Sequence, residues 1–135
     1  MFYWMYPAVS ASAPITIFLN GGPGASSTFA NFLMNGPMRI NQTGAGVDDY
    51  IVYLADDSWV DATTMIYIDQ PVGTGFSYGE PLLTNMQDAS NEFITFLVNL
   101  FTMYPSFVGK DLYFTGESYG GKYLPAYSYA MLMYN

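Results

Sequence analysis

DLYFTGESYGGKYLPA, residues 111–126, decides the fold. Asp111 to Thr115 alternates as a short strand, Gly116 to Gly120 fits G-x-S-x-G, and Lys122 onward reads as a helix in which Pro125 is tolerated only near the start or at a kink. Strand, turn and helix stand in the order that lifts a serine oxygen out of the fold, on a backbone so tight that only small neighbours fit. Ser118 is therefore the candidate nucleophile, at the carboxyl end of a strand.

Acyl transfer by Ser118 needs hydrogen-bond donors aimed at a tetrahedral oxyanion. The backbone N–H of Tyr119, the residue after the serine, is one. Upstream, the apolar, β-branched run Ile15 to Leu19 leads straight into NGGPG at 20–24. This turn can supply the second donor from Gly22, because glycine lets the backbone approach a ligand and Pro23 leaves the Gly22 N–H intact. Each motif alone is common; together, each after an expected strand, they are specific.

The other elements read outward from these two. Phe2 to Tyr6 is an aromatic-rich strand, joined to Ile15–Leu19 by a short loop with Pro7 and Pro14. Residues 26–46 are poorly periodic and carry Gly-Pro at 36–37, which predicts a short helical turn and then loop; Tyr50 to Leu54 reads as a strand. Met65 to Ile68 is a buried strand ending in Asp69, Gln70 and Pro71. Its glycine-rich sequel PVGTGFSYG fails as a nucleotide loop, since Gly73, Gly75 and Gly79 do not make G-x-G-x-x-G and no P-loop lysine follows. The clearest helix has Thr84 and Gln87 at capping-box spacing, Asp88 in its first turn, and Phe93, Leu97, Leu100 and Tyr104 on one face, and stops before Pro105. Strands alternating with helices predict an α/β fold with a mostly parallel sheet, right-handed crossovers and a site at the strands' carboxyl ends.

Composition bounds the function. The 135 residues hold three cations, Arg39, Lys110 and Lys122, against eleven carboxylates; a net charge of −8 with no basic cluster argues against nucleic acid or an anionic membrane as partner. Only 10% of residues are charged, against about a quarter in an average globular chain, so the sequence reads as part of something larger. No apolar run is long enough to span a bilayer. Without cysteine there is neither a disulfide framework nor a thiolate metal site. Histidine is also absent, and histidine is the usual base that activates a serine hydroxyl. Ala11, Ser12 and Ala13 imitate a signal-peptide cleavage site, but no cation precedes Arg39, Pro7 breaks the apolar stretch and the leader would be short.

FLNGGPGASS at 18–27, Gly-Pro at 36–37, Ser-Trp at 58–59, MIYIDQPVGTGFSYG at 65–79 and DLYFTGESYGGKYLPA at 111–126 span nearly the whole chain. In these blocks the sequence resembles the N-terminal part of a serine carboxypeptidase of the α/β-hydrolase fold. The resemblance implies that residues 1–135 form the N-terminal portion of a single such domain. It implies an enzyme that removes C-terminal residues from peptides and proteins through an acyl-enzyme on Ser118, in a vacuolar, lysosomal or secreted setting, with no metal or organic cofactor. Gly22 and Tyr119 fall on the oxyanion donors, and Asn20, Gly21 and Glu117 on the residues that hold the substrate's terminal carboxylate. Glu117 adds its own logic: a glutamate beside a substrate carboxylate repels it unless one of the two carries a proton, so the site is expected to prefer acid.

In that family the catalytic Asp and His follow the serine, so Asp69, which precedes it, is read as an anchor for the loop after its strand. Both partners are expected beyond Asn135, and these 135 residues alone are expected to be inactive. Ala25 stands where many members have cysteine, and Met34 where they usually have a glutamate that assists carboxylate recognition. Met34 keeps open an acyltransferase on the same scaffold, and the missing histidine a non-catalytic binding protein. Asn41, Gln42 and Thr43 form an N-x-T acceptor for a glycan, expected on a loop.

Overall fold

Residues 1–134 are described by a computed structural model. In chain order they form β1 (Phe2–Tyr6), β2 (Ile15–Leu19), α1 (Thr28–Leu33), β3 (Met38–Gln42), β4 (Tyr50–Leu54), β5 (Thr64–Asp69), α2 (Met86–Met103), β6 (Leu112–Gly116) and α3 (Gly120–Tyr134), with short 3-10 turns at Trp59–Asp61 and Pro105–Phe107. Four strands make one sheet in the order β1-β5-β2-β6. β5, β2 and β6 are parallel, and β1 runs antiparallel along β5. The sheet is thus mostly parallel, as the alternating strands and helices predict.

β2 and β5 are buried along their whole length, as continuous apolar runs in a parallel sheet must be. The alternation of side chains divides β2 between two cores. Ile15, Ile17 and Leu19 point to one face, where Ile66, Ile68, the α2 residues Phe93, Leu97 and Leu100, and Tyr123 and Tyr127 of α3 pack on them. Phe18 points to the other, with Ala30, Met65 and Tyr67. On the first face Phe93 and Tyr127 stack with ring centroids 4.3 Å apart, tying the two helices over the sheet. α2 therefore covers the sheet with the stripe its sequence periodicity predicts, while Val98 stays exposed.

β1 and β2, joined by a short loop as expected, are separated in the sheet by β5. Two local expectations are corrected. The α2 cap is Asn85 rather than Thr84: its side-chain oxygen accepts from the Asp88 N–H at 2.9 Å, so the capping pair lies one residue later than expected. Residues 38–42, expected as loop, form β3, which pairs antiparallel with β4 from Met38↔Leu54 to Gln42↔Tyr50 in a separate two-stranded sheet. Asn41 consequently sits exposed on a strand, not on a loop.

Candidate active site

β2 and β6 are adjacent parallel strands, paired through Leu19↔Gly116, and both candidate loops leave from this last rung. The Leu19 carbonyl accepts from the Glu117 N–H at 3.3 Å. It also fixes the residue types of the elbow, since a Cβ on Gly116 or Gly120 would lie 2.5 or 2.7 Å from that oxygen. Past the turn, Gly120, Gly121 and Lys122 donate to the carbonyls of Glu117, Ser118 and Tyr119, starting α3 directly behind the serine.

Ser118 is the one non-glycine residue with a positive φ among the described residues, at 55°. A left-handed backbone costs an L-residue about 1–2 kcal/mol, and such strain gathers at functional turns. Here it exposes Ser118 at the tip of the elbow.

The NGGPG turn docks on that tip. A Cβ on Gly21 would collide with the Tyr119 nitrogen and lie 2.9 Å from both the Glu117 carbonyl oxygen and the Ser118 Cβ, so only glycine lets the two loops touch. Gly22 follows at φ 106°. Neither the Gly22 nor the Tyr119 N–H donates a backbone hydrogen bond among the described residues. Asn20 is buried: its N–H donates to Ser27 Oγ at 3.1 Å, its Oδ1 accepts from the Ala30 N–H at 3.2 Å, and its Nδ2 donates to Glu117 Oε2 at 3.4 Å. The structure thus brings together Asn20, Gly21, Gly22, Glu117, Ser118 and Tyr119; Asn41 lies apart on the hairpin, and Met34 is partly exposed at the C-terminal end of α1.

Around the elbow the side chains are aromatic. Tyr119 meets Tyr123 edge-on at 5.2 Å, and Lys122 Nζ sits 5.2 Å from the Tyr119 ring centroid. Burial raises the pKa of Tyr123, which the backbone of Gly24 partly offsets. Tyr119 and Tyr123 line, with Pro23 and Pro71, a hollow of about 170 Å³. That is below the ~300 Å³ of a small-ligand pocket and suits one side chain. A roomier hollow of about 520 Å³ lies between α2 and α3, away from Ser118.

Asp69 behaves as the anchor its position before the serine implies. It is buried and accepts from Ser26 Oγ at 2.6 Å, Thr28 N–H at 3.3 Å and Phe76 N–H at 3.0 Å. Sequence reasoning missed that Ser26 and Thr28, just past NGGPG, are its partners; a carboxylate ending a buried strand is the signal that could have found them. Among the described residues no three His, Cys, Asp or Glu side chains gather as a metal site.

The serine carboxypeptidase family model matches residues 1–135. This chain belongs to the serine carboxypeptidase family. It is 40% identical to a venom serine carboxypeptidase of Apis mellifera, over all of this chain and 29% of that protein. It is 38% identical to a pheromone-processing carboxypeptidase KEX1 of Vanderwaltozyma polyspora, over 99% of this chain and 18% of that one. The solved structure of Kex1Δp, a prohormone-processing carboxypeptidase from Saccharomyces cerevisiae, superposes with a TM-score of 0.86 at 31% identity, covering 98% of this chain and 29% of that chain. The fold is accordingly part of an α/β-hydrolase fold, and the chain spans less than a third of each of these relatives.

Proposed function

We propose that residues 1–135 are the N-terminal portion of a single α/β-hydrolase domain whose parent protein is a serine-type carboxypeptidase. The observation that carries this is the left-handed Ser118 at the tip of the elbow, in contact with a glycine turn. Ser118 attacks the scissile carbonyl, and the N–H groups of Gly22 and Tyr119 hold the oxyanion. Asn20, Gly21 and Glu117 hold the terminal carboxylate of a peptide or protein; the Asn20–Glu117 hydrogen bond supports this grouping. These 135 residues contain no histidine, so the base that activates Ser118 comes from outside them. Family membership with a venom enzyme supports a place in the secretory pathway, vacuolar, lysosomal or secreted, where Asn41 accepts a glycan. No described helix is long and apolar enough to cross a membrane.

The test is reaction of the parent protein with a serine-directed phosphonate, peptide mapping, and release of C-terminal residues from a peptide. Label on Ser118, with release falling roughly 10⁶-fold in Ser118→Ala, is the expected result. An unlabelled Ser118 overturns the reading; label with transfer of the acyl group to an added alcohol instead of water points to the acyltransferase. Glu117→Gln alters one of the groups proposed to hold the terminal carboxylate, so KM for a peptide with a free C-terminal carboxylate is expected to rise several-fold while the rate of Ser118 phosphonylation stays within about twofold. An unchanged KM would remove Glu117 from the carboxylate site.

A further inference from the structure

An oxyanion hole works only if its two donors keep their spacing, and here they sit on loops far apart in sequence. Two consecutive buried residues, Asp69 and Gln70, each 1% exposed, reach toward both. The Asp69 carboxyl takes Ser26 Oγ at 2.6 Å and Thr28 N–H at 3.3 Å on Oδ1, Phe76 N–H at 3.0 Å on Oδ2, and Thr28 Oγ1 at 3.5 Å on each oxygen. Ser26 and Thr28 lie two and four residues past the turn that carries Gly22. Gln70 turns the other way: its Oε1 accepts from the Tyr127 hydroxyl on α3, the helix that begins behind Tyr119, leaving its Nε2 buried without a partner. Tyr127 continues toward the elbow through Tyr123, 5.5 Å between centroids, and Tyr119.

Among the described residues the one ion pair is Arg39–Asp57, so Asp69 is held by oriented hydrogen bonds rather than by a cation. The loop after it is shaped for this. A Cβ on Gly75 would strike Asp69 Oδ2 and lie 2.8 Å from Ser26 Oγ, so the missing side chain leaves room for the clamp.

We infer that Asp69 and Gln70 form a strut that sets the spacing of the two oxyanion donors, Asp69 holding the Gly22 turn through Ser26 and Thr28, and Gln70 holding the Tyr119 helix through Tyr127. They are positioning residues, and the inference rests on the assignment of Gly22 and Tyr119 as donors. A strut of this kind acts on the transition state, where charge develops on the carbonyl oxygen, and leaves ground-state binding alone. An anchor of the fold alone would change stability and nothing else.

Ser26→Ala in the parent protein separates the two, since it removes the 2.6 Å bond and touches neither Ser118 nor the donors. The expected result is a kcat about 10- to 100-fold lower, the scale of a small misplacement, with KM within about twofold. Affinity for a peptide boronate, whose oxygen occupies the oxyanion site, falls in parallel, while a product peptide binds as before. Ser26→Thr, which keeps the hydroxyl, restores both. Asp69→Asn and Tyr127→Phe lower kcat in the same pattern. A Ser26→Ala protein with a lower Tm but unchanged kcat and boronate affinity overturns the strut. A parent protein that releases no C-terminal residue overturns the proposed function instead; the strut is then read from the rate of Ser118 phosphonylation, expected to fall by the same factor and sunk by an unchanged rate.

Discussion

β2 and β4 are each five residues long and apolar, ITIFL and YIVYL, yet every residue of β2 is buried and every residue of β4 is exposed, from 42% to 77% of its surface. The difference lies in what covers them. β2 has strands on both edges and cores on both faces; β4 has one partner, β3. Residue type made both segments strands, and only the topology decided which would stabilise the fold.

Substitutions read this contrast directly. Ile66→Ala, beside β2 in the sheet centre, removes a fully buried side chain and is expected to cost about 2–5 kcal/mol, seen as a lower urea midpoint. Val52→Ala on β4 is expected to stay within about 0.5 kcal/mol. A loss of 2 kcal/mol or more for Val52 would break the comparison by showing that β4 is covered in the protein as measured.

Alkaline pH tests the buried side alone. Burial first, then the hydrogen bond and the charge of Tyr104, pushes Tyr3 from 10.0 to about 12, and burial raises Tyr67 and Tyr127 as well. These folded tyrosines favour the protonated form, so their contribution to stability is whole below pH 10 and is lost as pH climbs through about 12. A tyrosine absorbance titration followed beside circular dichroism is expected to show their ionisation arriving with unfolding. A native far-UV spectrum with all thirteen tyrosines ionised would contradict it.

The smallest effect belongs to the hairpin. Thr43→Ala ends the acceptor motif at Asn41 and, in a protein made through the secretory pathway, is expected to remove an endoglycosidase-sensitive mass while leaving the urea midpoint within about 0.5 kcal/mol. An unchanged mass would show that Asn41 carries no glycan.

Much of the candidate site's backbone was legible because its geometry is local. GESYG and NGGPG each specify a backbone turn, and the strands before them are marked by β-branched and aromatic runs, so the elbow, the turn, α2 and the parallel character of the sheet follow from short windows. β3 was not legible: MRINQ alternates only from Met38 to Asn41, ends on two polar residues and lies between Gly-Pro and Gly-Ala-Gly, and it becomes a strand because β4 offers an edge. The insertion of β5 between β1 and β2 is likewise a tertiary choice, as is the pairing of Asp69 with Ser26 across 43 residues. The one-residue shift at the α2 cap has a smaller cause, since Thr84 and Asn85 are both good caps and the backbone admits one.

The contact between Asn20 and Glu117 joins residues 97 apart in sequence. At about 5–20 residues per second, a ribosome takes roughly 5–20 s to get from the glycine turn to the Glu117–Ser118 elbow. During that time the turn waits on a nascent β2 with no elbow to dock against. The glycine turn therefore exists for seconds before the elbow it docks on, and the backbone around Ser118 takes shape only once β6 and α3 have followed β2.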